Sequence, residues 1–328
     1  MHQPTVISPA LLRPLRWAAS MRLTQVLLGM LAAATLAAYM ADGLGTLTLG
    51  VPLGLLTVNL VAAVITNATF RRQPALLMFH LSLIAIVALL AVSRLASVTG
   101  RFELTEGMAF DGSLMTSSPG ALASPRVDAS FVNAGFTVEY GAGLKRGRTR
   151  NEVRWIDEQG AERRQVIGDQ TPLVVNGVKF YTTSNKGFAP LFDWTAQGET
   201  PVRGAVHLPS FPLHEGEQVR DWKPVAGAPA VRVSLRLLDT VLDPSRPGTL
   251  RMPVRHVLHV RAGEVEAELV PGQSVSIAGG ELRYVGLRTW MGYRVAYDPV
   301  VAWLLAASLV AVIALVAHYA IKFRRRRA

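Results

Sequence analysis

From Ala75 to Val92 every residue except His80 and Ser82 is apolar, and no other feature limits this chain so tightly. At ~1.5 Å rise per residue such a run crosses most of a ~30 Å hydrocarbon layer, so it reads as a membrane-spanning helix. Comparable stretches at 23–40, 44–65 and 300–321 read as three further spans. Pro52 and Gly54 fall inside the second, where membrane bundles tolerate them, and Asp42 with Gly43 makes a very short turn before it. The first span is expected to stay uncleaved, because no small-residue cleavage pattern follows it. Three spans are thus bunched at 23–97 and the fourth lies at 299–321, leaving 98–298 between them.

The composition agrees, with 50% hydrophobic and 17% charged residues and a mean hydropathy of +0.28. The net charge of +11 sits largely in short tracts beside apolar segments, at Arg13, Arg16, Arg22, Arg71, Arg72 and Lys322 to Arg327. Basic residues flanking spans mark the cytoplasmic side, so this is a topology signal and no nucleic-acid partner is expected. In a four-span arrangement all three basic tracts share that side. The expected layout is a cytoplasmic N-terminus (1–22), the long intervening segment outside the cytoplasm, and a cytoplasmic basic tail (322–328). The chain contains no cysteine, which excludes disulfides, thiolate metal sites, CxxC redox chemistry and thioether haem attachment to this chain.

The intervening segment reads as β. Short alternating or β-branched runs at 136–140, 152–156, 173–182, 231–237, 254–260 and 282–285 are separated by Gly, Pro and Asp turns. Strands at this spacing predict an antiparallel sandwich or open barrel, with a break near 194–229 where prolines and glycines concentrate. The fold class is therefore an integral membrane α-helical protein with four transmembrane helices and a β-rich extracytoplasmic domain between the third and fourth. Residues 145–154 carry Lys145, Arg146, Arg148, Arg150 and Arg154. A solvated hairpin is the preferred reading of that run, with an acidic lipid or partner surface as the alternative.

Three stretches, in this order of elements, resemble the ResB (also CcsB) family. FHLSLIAIVALLAVSRLASVTGRFELTEG is similar to the family's third span with its histidine and G-x-x-x-L-x-E-G exit. VVNGVKFYTTSNKGFAP is similar to its N-G-x-x-F/I-Y-x-x-S strand, and MGYRVAYDPVVAW to the Asp-Pro approach to its last helix. The resemblance implies the membrane component of a complex that exports haem and delivers it to apocytochrome c for covalent attachment. It implies haem b as the group handled, a CcsA-type polytopic membrane protein as partner, apocytochrome c as acceptor, and the bacterial cytoplasmic (inner) membrane as location. The partner carries the tryptophan-rich haem motif, so this chain is expected not to be an enzyme on its own. Its outer segment is short for the family and lacks the cysteine that some members hold there, which excludes a thiol-reducing role.

His80 lies about a turn and a half inside the cytoplasmic end of the third span at ~3.6 residues per turn. An ionisable group there is expensive and faces a bundle or a ligand rather than lipid. A neutral imidazole suits haem iron, and the resemblance implies that His80 is an axial ligand whose counterpart comes from the partner. A hydrogen bond to a neighbouring helix is the structural alternative. His318, at a similar depth in the last span, allows an intrachain bis-histidine site if the two helices touch. An interfacial histidine above the basic tail is the preferred reading there.

His256 and His259, three apart on a strand, face opposite ways and share no metal. His207 and His214 flank a proline-rich loop with no spacing that points to chemistry. Arg94 and Arg101 follow the third span, either snorkelling, pairing with Glu103 and Glu106, or meeting haem propionates. The competing functional class is a membrane-anchored extracytoplasmic binding or sensor module without haem.

Overall fold

The computed structural model describes residues 9–40, 47–123, 129–213 and 217–327. His214 and the Asp42–Gly43 turn lie outside them. The chain divides into two compact units.

The helical unit takes its described residues from Met1–Val98, Ser118–Pro125 and Tyr297–Ala328. It contains α1 (Pro9–Ala18), α2 (Met21–Met40), α3 (Leu47–Thr66), α4 (Ala68–Arg72), α5 (Pro74–Ala96) and α6 (Val301–Arg327). Four of these, α2, α3, α5 and α6, are long and apolar enough to cross a membrane. The helix α5 packs against both α3 and α6, and α3 against α2 and α1.

Two short helices were not expected from hydropathy. α1 lies before the first span, and α4 fills the loop between the second and third. Asn67 caps α4, accepting from the Thr69 amide at 3.0 Å, so the sequon-like N-A-T is a helix start. The last helix also runs on to Arg327, because Lys and Arg are good helix formers and no Gly or Pro stops them.

Ends of helices are closed by specific contacts. The amides of Gly120 and Leu122 donate to the carbonyls of Ser97 and Leu95, each at 2.8 Å, capping the end of α5. A Cβ at Gly120 would lie 2.2 Å from the Leu95 oxygen, so only glycine fits. Asp298 serves the start of α6, accepting from the Val300 amide at 3.0 Å. Its other oxygen accepts from Ser93 Oγ of α5 at 2.6 Å.

The other unit, Thr99–Ser117 and Arg126–Ala296, is β-rich. In chain order its strands are β1 (Val98–Thr105), β2 (Ala109–Phe110), β3 (Thr116–Pro119), β4 (Phe131–Tyr140), β5 (Arg146–Ile156) and β6 (Glu162–Ile167). Then come β7 (Leu173–Val175), β8 (Val178–Ala196), β9 (Val202–Ala205), β10 (Val219–Trp222) and β11 (Val231–Leu237). The last are β12 (Gly248–Thr249), β13 (His256–Ala262), β14 (Val265–Leu269), β15 (Ser274–Ile277) and β16 (Gly280–Tyr297).

Among the described residues these strands form three sheets. One has the path β3-β1-β16-β8-β7, with β15 and β9 attached to β16 and β8; the second is β10-β11-β13-β14; the third is β12-β4-β5-β6, with β2 on β4. The segment 194–229 is less broken than its Pro and Gly content predicts. It carries β9 back onto β8 and then opens the second sheet with β10.

Local chemistry explains much of this. Asn176 (φ +50°) and Gly177 (φ +77°) both sit at positive φ, as a two-residue turn between paired strands demands, and join Val175 to Val178 in the β7–β8 hairpin. The basic run is the return strand of the β4–β5 hairpin, and from Asn151 onward β5 lies between β4 and β6. The pleat buries Thr149, Asn151 and Val153 and sends Arg148 and Arg150 outward. An aromatic core of Phe102, Phe110, Phe131, Phe180 and Tyr293, each 5% exposed or less, fills the space behind.

Candidate functional site

Proline at the first position of α5 has its φ pre-set for a helix, and the reversal from α4 through Gln73 folds Phe70 back over the first turns. The Phe70 ring centroid lies 4.4 Å from that of His80, and Phe79 meets the same imidazole edge-on at 5.4 Å. His80 Nδ1 bonds the carbonyl oxygen of Leu76 at 2.8 Å. A carbonyl can only accept, so Nδ1 carries the proton and Nε2 the lone pair. Nε2 has no hydrogen-bond partner among the described residues, and the ring is half-buried. This is the tautomer and ring orientation that a metal-ligating histidine has when its other nitrogen is held by a backbone carbonyl. The Leu76 carbonyl and the Phe70 ring together fix the orientation of the His80 imidazole.

The second intramembrane histidine is placed differently. His318 is half-buried on α6, its ring 5.5 Å from Tyr319. The bond from Ser93 to Asp298 sets one level for the adjoining ends of α5 and α6. At ~1.5 Å per residue His80 lies ~20 Å from Ser93 along α5, and His318 ~26 Å along α6 from its start, so their levels differ by about a helical turn.

The other described histidines, His207, His256 and His259, are engaged. His256 Nε2 meets the Tyr284 hydroxyl at 2.8 Å, and His259 Nε2 meets Glu268 Oε1 at 3.0 Å across β13–β14. The two do point to opposite faces. His207 Nδ1 donates to Glu103 Oε2 at 2.9 Å, its Nε2 meets Thr105 Oγ1 at 2.8 Å, and its ring stacks on Trp290. Glu106 accepts from the Thr289 hydroxyl at 2.7 Å. Both acids after the third span thus bind partners in the β unit rather than Arg94 or Arg101. No group of three or more metal-ligating His, Asp or Glu side chains is present among the described residues.

Sequence reasoning missed three polar constellations. In the helical unit, buried Asn59 of α3 donates to the Ala18 carbonyl and accepts from Thr24 Oγ1, tying α1, α2 and α3 together. A lone asparagine in an apolar span was the available signal. In the β unit, Tyr293 donates to Asn151 Oδ1 at 2.7 Å, and Asn151 donates to Asn133 Oδ1 and the Gly135 carbonyl, both at 2.8 Å. The third is the chain of Glu103, His207 and Thr105, whose members come together only through tertiary pairing.

Four helices able to span a membrane and a β-rich unit between the third and fourth of them define the class of this protein, a membrane protein with a β-rich segment inserted before its last helix. The ResB-like family matches residues 69–327, and the chain belongs to it. Membership points to cytochrome c biogenesis in general. No curated protein matches the chain. A solved chain titled "Cytochrome c Heme Lyase CcmF" is similar at 12% identity and a TM-score of 0.27, covering 91% of this chain and 34% of that one. The present chain thus spans about a third of the length of that protein.

Proposed function

We propose that this ResB-like chain is the membrane component of a complex that moves haem out of the cytoplasm and delivers it to apocytochrome c, with His80 Nε2 as one axial ligand of the haem iron within the membrane. The supporting observation is the bond from Nδ1–H to the Leu76 carbonyl, which leaves the Nε2 lone pair without a hydrogen-bond partner among the described residues. Haem is here the cargo. The second axial ligand comes from a CcsA-type partner, which also carries out thioether formation, so this chain is an accessory subunit. On this reading both termini lie in the cytoplasm of a bacterium and the β unit outside its inner membrane, an orientation that the positive-inside rule supports through the basic tracts.

Replacing His80 by alanine tests the reading, because alanine preserves the helix while removing the ligand. In the co-expressed complex His80→Ala is expected to lose most of the reducible Soret absorbance, and added imidazole to restore part of it by filling the vacated coordination position. His318→Ala leaves the spectrum nearly unchanged. Full haem occupancy in His80→Ala would refute the assignment and favour a haem-free binding module. Orientation is checked by fusing a reporter active only outside the cytoplasm. Activity is expected for fusions at 110–290 and silence after Arg327; the reverse would invert the topology.

A further inference from the structure

The place of Phe70 is set by the junction of two helices. Gln73 precedes Pro74, and a proline ring disfavours the helical region for the residue before it. Gln73 accordingly has φ −130° and ψ 85°, closing α4 and opening α5 at once. Its amide donates to the Phe70 carbonyl at 3.3 Å, and its own carbonyl accepts from the Leu77 amide at 2.9 Å. At the other end of α4 the Asn67 side chain holds the Thr69 amide. The short helix is therefore tied at both ends, and Pro74 keeps it from running on into α5.

Phe70 is the one large apolar residue between Asn67 and Gln73. Its ring centroid lies 4.4 Å from that of His80 with the planes tilted by 51°, and the imidazole is the one ring it meets among the described residues. The Leu76 carbonyl holds a single atom of that imidazole, Nδ1. The torsion that turns a histidine ring about its Cβ–Cγ bond is broad, so one hydrogen bond leaves the plane of the ring loosely set. Phe79 meets the ring edge-on at 5.4 Å, but it is the neighbour of His80 on the same helix. Phe70 supplies a contact from outside α5, and its own position is fixed independently through the Gln73 junction.

We propose, resting on the ligand role given to His80 above, that Phe70 is a positioning residue for that ligand: it sets the plane in which the imidazole meets haem iron, and so how firmly the haem is held. An imidazole binds iron through the Nε2 lone pair in the plane of the ring, while its π orbitals stand perpendicular to that plane. Turning the ring therefore turns the direction in which the iron d orbitals are split. Through His80 a side chain on α4 acts on the iron without touching it.

The full chain co-expressed with a CcsA-type partner is compared with three variants. Phe70→Leu keeps an apolar side chain of similar size but lacks the flat ring, Phe70→Tyr restores the ring, and His80→Ala removes the ligand. Two quantities are read: the electron paramagnetic resonance g-values of the ferric low-spin haem, which follow the plane of an axial imidazole, and the rate at which haem is lost to added apomyoglobin. Phe70→Leu is expected to shift and broaden the signal and to lose haem roughly fivefold faster, the worth of one aromatic pair. Phe70→Tyr is expected to return both to the wild-type values.

Unaltered g-values or an unaltered rate of loss in Phe70→Leu overturns the positioning role. A change that Phe70→Tyr fails to reverse overturns it as well, because bulk rather than the ring is then at work. Failure of the ligand reading looks different: His80→Ala keeps its haem and its g-values, and the role of Phe70 falls with it. Where His80→Ala loses its haem while Phe70→Leu matches the wild type, the ligand stands and Phe70 alone is dismissed.

Discussion

The helical unit and the β unit satisfy their interior polar groups in opposite ways. Within α5 both His80 and Ser82 bond the carbonyl four residues earlier, to Leu76 and Met78, and Thr57 and Thr66 do the same in α3. A helix offers every side chain a backbone acceptor one turn back, so a polar group in an apolar span is satisfied without leaving its own element. A strand offers nothing of the kind, because its carbonyls are engaged by neighbouring strands and its side chains point out of the ladder. Tyr293, Asn151 and Asn133 therefore depend on one another across β16, β5 and β4, and Glu103, His207 and Thr105 across a sequence separation of about a hundred residues. Among the described residues the helical unit departs from its rule at Asn59 and at the Ser93–Asp298 bond, where side chains join different helices. Local satisfaction leaves a side chain replaceable, whereas networked satisfaction makes the removal of any member felt by several others.

The largest effect expected from this contrast is at Asn151. Asn151→Ala strips partners from the Tyr293 hydroxyl, Asn133 and Gly135 at once in a fully buried place. At about 1–3 kcal/mol for each buried group left unsatisfied, a destabilisation of about 3 kcal/mol or more is expected in chemical denaturation of the β unit, followed in the whole chain. A value below about 1 kcal/mol would mean that water reaches the network, and the contrast would fail.

Lys186 sharpens the comparison through pH. Its folded pKa, about 8, lies below the ordinary 10.5, so between those values the unfolded chain binds more protons and stability rises with pH. Below pH 8 both states are protonated and the cost of burying the ammonium is fully present. Since one pKa unit is ~1.4 kcal/mol, a rise of about 3 kcal/mol is expected between pH 8 and 10.5 relative to Lys186→Met, which removes the titrating group. Parallel pH profiles in the two proteins would show that Lys186 is hydrated.

The smallest effect should come from the helical unit. Ser82 is as buried as many core residues, at 6% exposure, yet its hydroxyl only supplements a carbonyl of its own helix. Ser82→Ala is therefore expected to stay within ~0.5 kcal/mol, with alanine's helix propensity offsetting the missing bond. A destabilisation comparable to that at Asn151 would erase the distinction between the two units.

The spans and the β character of the intervening segment were legible because run length, two-residue alternation and turn chemistry are local properties, written in neighbouring residues. His80 stood out for the same reason, as a polar residue in an apolar run, and the Asn176–Gly177 turn shows how two residues can set a hairpin. The tautomer of His80 needed the position of the Leu76 carbonyl, and the pairing of Arg146 with Asp169 needed one extra residue in β5 opposite β4, which the basic run read alone presents as another outward charge. Asn59, His207 and Asn151 have partners on other elements, fixed by helix packing and strand register. Sequence therefore determined which segments can enter the hydrocarbon and which pair as strands, since transfer free energy and backbone preference act residue by residue. Tertiary structure decided which polar groups meet, because a hydrogen bond forms only between atoms that the packing of distant segments brings within about 3 Å.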